Sequence, residues 1–209
     1  MPAIIPPNQD RVLYLDTDII VNKTLDYLYD VPFMDMSIVA CKDMSVKKTG
    51  LTQTQEELFG SIEGFSQDNY FNSGVVLFNL SKIRENWTVS DIIGKAVELK
   101  EKLFAPDQDL LNYIFYNDVY YEDEEQYNAF ARLKFNSGVD YSSIRQSATI
   151  IHFAGRKPWT GEAIRYNTER LWWEYASKLP KEVYLNLMEE FILSEIDAGY
   201  ANEAIKNLM

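Results

Sequence analysis

In Val12-Leu13-Tyr14-Leu15-Asp16-Thr17-Asp18 an apolar run ends abruptly in two carboxylates. The run predicts a buried strand, and side chains two residues apart on an extended chain point the same way. Asp16 and Asp18 can therefore reach one point past the carboxyl end of the strand, where α/β sheets place ligands. Two carboxylates there favour a divalent cation and a phosphate-bearing substrate. A helix cap or turn accounts equally well for this pattern taken alone.

Size and charge restrict the classes of function. The 209 residues suffice for one domain with its own core, and 46% hydrophobic with 25% charged residues is typical of a soluble globular protein. The net charge of −12 argues against nucleic acid as a partner, because an acidic chain repels the phosphate backbone. The same charge repels an anionic substrate unless a cation reverses the local field, as a metal at Asp16 and Asp18 would do.

Redox and targeting signals favour the cytoplasm. Cys41 is the single cysteine, so no disulfide framework can form within the chain. The first residues lack the charged start and long apolar segment of a signal peptide. No apolar run approaches the roughly 18 residues of a membrane span. We therefore expect a reduced, cytoplasmic protein.

Apolar runs alternate with helical spacing along the chain, which predicts an α/β sheet flanked by helices. We expect one strand to break at Asn72-Ser73-Gly74. Strands are predicted over 12–15, 37–41, 70–80 and 148–153, helices over 24–30, 53–59, 90–104, 107–116 and from 165 to the end with an interruption near Pro180, and short strands and turns over 118–147.

The chain's single histidine strengthens the prediction of a metal site. His152 stands at the end of an apolar run and can also emerge at the carboxyl edge of the sheet. Two carboxylates and an imidazole with open positions suit Mn²⁺ or a similar ion, although a satisfied structural histidine is the alternative. Gly155 permits close backbone approach to a ligand, and Lys157 supplies a point charge for phosphate. This segment therefore has the groups that a diphosphate needs.

Four polar segments occur in a fixed order over roughly residues 10–160. They are Leu15-Asp16-Thr17-Asp18, Tyr70-Phe71-Asn72-Ser73-Gly74, Pro106-Asp107-Gln108-Asp109 and His152-Phe153-Ala154-Gly155-Arg156-Lys157-Pro158-Trp159. The second and third, taken singly, are better explained as a turn and a helix cap. Together the four resemble glycosyltransferase family 8, which includes bacterial lipopolysaccharide galactosyl- and glucosyltransferases and is similar to glycogenin.

The resemblance implies a nucleotide-diphospho-sugar transferase fold of the GT-A type, with a mixed sheet flanked by helices. It also implies that the configuration of the transferred sugar is retained. Asp16, Asp18 and His152 would hold Mn²⁺, with Mg²⁺ as the alternative, against the diphosphate of a UDP-sugar. Gly155 and Lys157 would contact the same diphosphate.

The resemblance further implies a donor, an acceptor and a reaction centre. UDP-glucose or UDP-galactose would donate the sugar to a saccharide acceptor, in the synthesis of lipopolysaccharide or another cell-surface glycan. Asn72, Ser73, Gly74 and Asp107 would bind the donor sugar, and Asp107 and Gln108 would act in catalysis. An amide is a poor nucleophile, so we expect front-side attack by the acceptor, with Gln108 stabilising the oxocarbenium-like transition state.

Both ends of the chain depart from the family pattern. Family members place a nucleoside-binding region well before the Asp-x-Asp segment, so we expect a truncated catalytic domain over 1–160 with weak transfer by this chain alone. Its exposed sheet edge can pair with a second copy, which makes a homo-oligomer compatible with the sequence.

Residues 161–209 predict a helical extension packed on this domain. Arg165, Arg170, Trp172 and Trp173 hint at a basic, aromatic membrane-binding surface. Residues 181–209 carry more acids than bases, which opposes an anionic lipid surface. A packed helical extension is therefore favoured over peripheral membrane contact.

Two other hypotheses about function are compatible with the residues. A haloacid-dehalogenase-like phosphatase also places Asp-x-Asp after an apolar strand, and Asp123-Glu124-Glu125 is the acidic cluster that would complete its Mg²⁺ site. A non-catalytic metal- or sugar-binding remnant would bind the ion without turning over any nucleotide sugar.

Overall fold

The computed structural model describes residues 4–160 and 166–197, which form two compact units. The first unit consists of residues 4–17 and 24–128, and the second of residues 18–23, 129–160 and 166–197. The predicted domain boundary after residue 160 stays a prediction. Arg165 and the end of the predicted extension, residues 198–209, lie outside the described residues.

A four-stranded mixed sheet forms the centre of the first unit. β4 pairs antiparallel with β1 on one side and with β3 on the other, and β5 pairs in parallel with β3. Residues 71–78 of β4 are all buried, which explains an apolar run without alternation. The strands are β1 (Arg11–Leu15), β3 (Ile38–Lys42), β4 (Phe71–Asn79) and β5 (Val119–Glu122).

β4 runs without interruption through Asn72-Ser73-Gly74, so the predicted break is wrong. The irregularity lies in its pairing with β3, where Ala40 faces Val76 but Lys42 faces Phe71. Between these two pairs β4 advances by five positions and β3 by only two, so the register of the two strands shifts here. The strand therefore continues through its polar residues although its pairing with β3 is irregular there.

Helices of the first unit pack against this sheet through its apolar side chains. Leu80 and Ile83 of α4 and Phe115 of α6 cluster with Ile38 and Val76 of the sheet. The predicted helix over 24–30 begins only at Asp26, and no side chain caps it. The helix α2 was not predicted. The helices are α1 (Asp26–Asp30), α2 (Met44–Thr49), α3 (Gln53–Phe59), α4 (Leu80–Asn86), α5 (Val89–Leu99), α6 (Pro106–Phe115) and α7 (Glu124–Tyr127).

A three-stranded sheet lies in the second unit, with β7 antiparallel to β2 and parallel to β6. Most of the region predicted as strands and turns over 118–147 is helical, because short helices with caps such as Asp140 replace the turns. The predicted interruption near Pro180 is confirmed. The elements are β2 (Ile19–Val21), β6 (Ala129–Phe130), β7 (Ile150–His152), α8 (Ala131–Asn136), α9 (Tyr141–Ser147), α10 (Arg170–Ala176) and α11 (Lys181–Asp197).

The α/β prediction is confirmed, since both units combine a mixed sheet with helices. Ile20, Ile151, Phe153 and Leu171 are among the buried residues that form the apolar core of the second unit. Among the described residues, no helix combines the length and the apolar character that crossing a bilayer requires.

Candidate functional site

Asp18 is the centre of a charged cluster in the second unit. It directly precedes β2, whose first residue, Ile19, faces His152 across the pairing with β7. The Phe153 N–H donates to the Asp18 carbonyl oxygen at 2.9 Å. This register places Nε2 of His152 3.3 Å from Oδ1 of Asp18, while Nζ of Lys157 pairs with the other oxygen, Oδ2. The structure therefore brings three predicted site residues together around one carboxylate.

The environment of Asp18 favours its ionised form. Asp18 is 8% exposed and His152 only 2%, and the ring of Phe130 packs edge-on against the imidazole. Burial by itself raises the pKa of Asp18, but His152 and Lys157 more than offset this and hold the pKa well below its usual range. Asp18 is therefore a buried anion near neutral pH.

The donor atoms at Asp18 and His152 suit a divalent cation. A carboxylate oxygen and an imidazole nitrogen are ligands for Mn²⁺ and similar ions. Neighbouring ligands of an octahedral ion with bonds of about 2.1 Å lie about 3 Å apart. The 3.3 Å separation of Oδ1 and Nε2 is close to that value. The residues present thus fit the metal that the sequence predicts.

Asp16 belongs to the first unit and directly follows β1. Its N–H donates to the Gly74 carbonyl oxygen at 2.9 Å, and the Tyr14 hydroxyl donates to its Oδ1 at 2.8 Å. β1 and β7 lie in different sheets, so the expectation that the Asp-x-Asp segment and His152 leave one sheet edge is wrong. The reason is that the short strand β2 follows Asp18 and pairs with β7 in the three-stranded sheet of the second unit.

Gly155 lies three residues after β7 with a φ of +86°. This left-handed backbone region favours glycine, because a Cβ there is strained. A Cβ at Gly155 would meet no atom within 4 Å, so the requirement is one of backbone conformation and not of space.

A polar network joins β4 to the start of α6 in the first unit. Oε1 of Gln108 accepts hydrogen bonds from Nδ2 of Asn72 at 2.8 Å and from the Ser73 N–H at 3.0 Å. Oγ of Ser73 donates to Oδ2 of Asp107 at 3.0 Å, and the Gly74 N–H donates to Oδ1 of Asn72 at 3.0 Å. The two predicted polar segments are therefore in direct contact.

Sequence reasoning missed two residues of this network. Oδ2 of Asp43 accepts from Nε2 of Gln108 at 3.0 Å and from Nδ2 of Asn72 at 3.3 Å. Nδ2 of Asn128 donates to Oδ1 of Asn72 at 2.9 Å. Asp43 could have been predicted as a site residue, because it directly follows an apolar strand, as Asp16 does. No sequence pattern indicates a site role for Asn128, because it lies between a short helix and a two-residue strand.

A buried carboxylate positions the start of α6. Asp109, which is fully buried, accepts from the N–H groups of Phe104 at 2.7 Å and Ala105 at 2.8 Å through Oδ2. Its Oδ1 accepts from the Tyr70 hydroxyl at 2.5 Å and from Nε2 of Gln55 at 2.8 Å. These bonds fix the segment that leads into the helix with the predicted catalytic residues.

The acidic cluster that a phosphatase would need has structural partners. Asp123 caps α7 by accepting from the Glu125 N–H at 2.8 Å. Glu124 forms an ion pair with Lys47 at 2.8 Å. The phosphatase alternative is not favoured.

Known proteins similar to this chain include several glycosyltransferases. The chain is 30% identical over 175 residues to the glycosyltransferase GlyF of Streptococcus pneumoniae serotype 4, covering 79% of this chain and 38% of GlyF. General stress protein A of Bacillus subtilis is 27% identical over 164 residues, covering 71% of this chain and 52% of that protein. The chain thus spans only part of the length of these relatives.

Solved structures share the fold. The galactosyltransferase LgtC, solved with donor and acceptor sugar analogues, has a TM-score of 0.61 and 26% identity, covering 87% of this chain and 66% of LgtC. GlyE of S. pneumoniae TIGR4 has a TM-score of 0.64 and 22% identity, covering 88% of this chain and 43% of GlyE. These likenesses confirm the predicted GT-A fold. Residues 1–163 match the model of glycosyl transferase family 8, and the chain therefore belongs to that family.

Proposed function

We propose that this chain contains the catalytic region of a retaining, metal-dependent glycosyltransferase, over 1–160 with a helical extension over 161–209. It would move glucose or galactose from a UDP-sugar to a saccharide acceptor. Family membership supports a sugar transferase that uses a nucleotide-sugar donor and a saccharide acceptor. The observation that carries the proposal is the buried, ionised Asp18 with His152 3.3 Å away.

The metal would be Mn²⁺, with Mg²⁺ as the alternative, held by Asp16, Asp18 and His152. One residue separates the two aspartates in the chain, and the donor atoms at Asp18 and His152 fit such an ion. When bound, the ion would supply Lewis-acid stabilisation of the departing diphosphate. Gly155 and Lys157 would bind that diphosphate, the first through an open backbone turn and the second through its charge.

The donor sugar would be bound by Asn72, Ser73, Gly74 and Asp107. The hydrogen bonds that join these residues support this assignment, because Asn72 and Ser73 bond to Gln108 and Ser73 also bonds to Asp107 at the start of α6. Both the Asn72 amide and the Ser73 N–H donate to Oε1 of Gln108, which occupies the two lone pairs of that oxygen. This argues against Oε1 as a nucleophile and supports front-side attack by the acceptor.

The proposed compartment is the cytoplasm, and the proposed pathway is the synthesis of lipopolysaccharide or another cell-surface glycan. A free, buried Cys41 is compatible with a reducing compartment.

Metal binding and turnover test the proposal together. We would measure Mn²⁺ affinity by calorimetry and UDP release from UDP-glucose and UDP-galactose, each with a panel of saccharide acceptors. Asp18→Asn and His152→Ala should each weaken Mn²⁺ binding and lower UDP release by about 100-fold or more, because the first removes the negative charge of one ligand and the second removes a ligand. Asp26→Asn, at an exposed carboxylate in α1, should change neither.

Unchanged Mn²⁺ affinity in both ligand variants would contradict the site assignment. Mn²⁺ binding that depends on Asp18 without turnover of any UDP-sugar would favour the non-catalytic alternative. Hydrolysis of p-nitrophenyl phosphate without a sugar acceptor would favour the phosphatase.

A further inference from the structure

The two oxygens of Asp18 have different partners. Oδ1 faces Nε2 of His152, whereas Oδ2 is paired with Nζ of Lys157. The ammonium is anchored by a second bond, to the Phe153 carbonyl oxygen at 3.2 Å. The side chain of Lys157 is 31% exposed and that of Asp18 only 11%. Lys157 is thus a partly exposed lysine whose ammonium is held by two bonds, one of them to a mostly buried carboxylate.

A divalent ion at Asp18 and this ammonium would compete for one carboxylate. Opposite charges in a partly buried site attract more strongly than in water, and like charges repel more strongly for the same reason. An ion that shares the carboxylate with Lys157 therefore meets a positive charge at contact distance. The ion binds most tightly when the ammonium lies elsewhere.

We propose that Lys157 is an internal competitor of the metal, which sets the affinity of the site and couples it to the phosphate-bearing ligand. This inference rests on the proposed function, which assigns the ion to Asp18 and the diphosphate to Lys157. A diphosphate that takes the ammonium removes the competitor, so it strengthens metal binding. By linkage, the metal strengthens diphosphate binding by the same factor.

The chemistry of lysine suits such an exchange. Its ammonium is a compact charge on a flexible four-carbon stem, so it can change partners by rotation about the bonds of the stem. The exchange also favours divalent ions over monovalent ions. A monovalent ion offers the carboxylate no more charge than the ammonium already provides, whereas a divalent ion offers twice as much.

Mn²⁺ affinity of the full chain without nucleotide tests the inference directly. Lys157→Met keeps an apolar stem and removes the charge, so it should bind Mn²⁺ about fivefold more tightly than the wild type, or better. Lys157→Gln should behave in the same way, and Lys157→Arg, which keeps the charge, should resemble the wild type. Lys178→Met is the matched control, because Lys178 is an exposed lysine of the same unit and lies over the ring of Tyr175.

Titration in the presence of UDP supplies the second readout. In the wild type UDP should strengthen Mn²⁺ binding. In Lys157→Met the strengthening should be smaller, because the competitor is already absent and only the direct attraction between the ion and the diphosphate remains. Thermal unfolding of each variant checks that it is folded. Equal or weaker Mn²⁺ binding by both folded neutral variants would overturn the inference.

Asp18→Asn separates this failure from failure of the proposed function. If Asp18→Asn abolishes Mn²⁺ binding while Lys157→Met does not strengthen it, only the competition is wrong. If Asp18→Asn leaves Mn²⁺ affinity unchanged, the ion is not at Asp18, and both the site assignment and the competition are wrong.

Discussion

At the scale of single residues, Asp43 shows how one side chain can serve two purposes. One carboxylate oxygen accepts from the N–H groups of Ser45 and Val46 and caps α2, and the other accepts from Gln108 and Asn72. A cap needs only neighbours in the chain, but the second set of bonds joins residues 65 and 29 positions away. The role of Asp43 therefore depends on contacts that no local pattern specifies.

The positive φ of Gly155 leads to a prediction at this scale. Gly155→Ala should cost about 1–2 kcal/mol of stability, because an alanine in the left-handed region is strained even where space is open. It should also weaken UDP binding in the presence of Mn²⁺, since the new methyl would take up open space at the proposed diphosphate site. Urea unfolding and calorimetry measure the two effects.

Gly138→Ala is a close control for this change. Gly138 has a φ of +81°, and a Cβ there would also meet open space. The two substitutions should therefore cost similar stability, and only Gly155→Ala should affect UDP. Equal UDP affinities in both variants would remove Gly155 from the proposed diphosphate site.

At the scale of elements, α3 supports the start of α6 through one residue. Gln55 completes the capping box of α3, because its Oε1 accepts from the Thr52 N–H at 3.0 Å while its own N–H donates to Oγ1 of Thr52. The Nε2 of Gln55 donates to the buried Asp109 at 2.8 Å. Gln55 thus takes part both in the cap of α3 and in the bonds of Asp109 that fix the start of α6.

Thr52→Ala should destabilise the protein by about 1 kcal/mol, which is typical for the loss of an N-cap side chain. It should also lower UDP release, because Gln55 loses one of the groups that orient it toward Asp109. Thr54→Ala is the control at an exposed position of α3. A Thr52→Ala variant that matches the control in both urea unfolding and UDP release would show that the two helices are not coupled in this way.

At the scale of the whole molecule, the partly buried Tyr121 makes stability depend on alkaline pH. The Tyr121 hydroxyl donates to the Asn69 carbonyl oxygen at 2.5 Å. Burial, with a smaller contribution from Tyr116, raises the pKa of Tyr121 from 10.0 to about 12. The folded chain thus keeps a proton that the unfolded chain loses above pH 10, so the stability present below that pH declines as pH rises toward 12.

We expect the free energy of unfolding to fall by roughly 1–2 kcal/mol between pH 10 and 12 from Tyr121, once solvent screening of this partly buried group is allowed for. Urea unfolding at a series of pH values measures the decline. Tyr121→Phe cannot lose that proton, so its decline should be shallower. The same slope in the variant and the wild type would refute this origin.

The amino-acid sequence alone was sufficient to predict the local features of the chain. Apolar runs placed β1, β3 and β7, helical spacing placed α5 and α6, and the order of four polar segments identified the family, since these signals lie in neighbouring residues. Where the pattern failed, a distant partner decided. The buried β4 contains polar residues, and the side chains of Asn72 and Ser73 bond to Gln108 and Asp107, 36 and 34 positions away.

The pairing of the site residues, in contrast, depends on the packing of distant parts of the chain. This packing set Asp18 beside His152 and Lys157, although 134 and 139 positions separate them in the chain, through the pairing of β2 with β7. It also added Asp43 and Asn128 to the network around Asn72. A sequence states which charges are available, whereas their attraction and their burial depend on distances in space, which the packing of the strands sets.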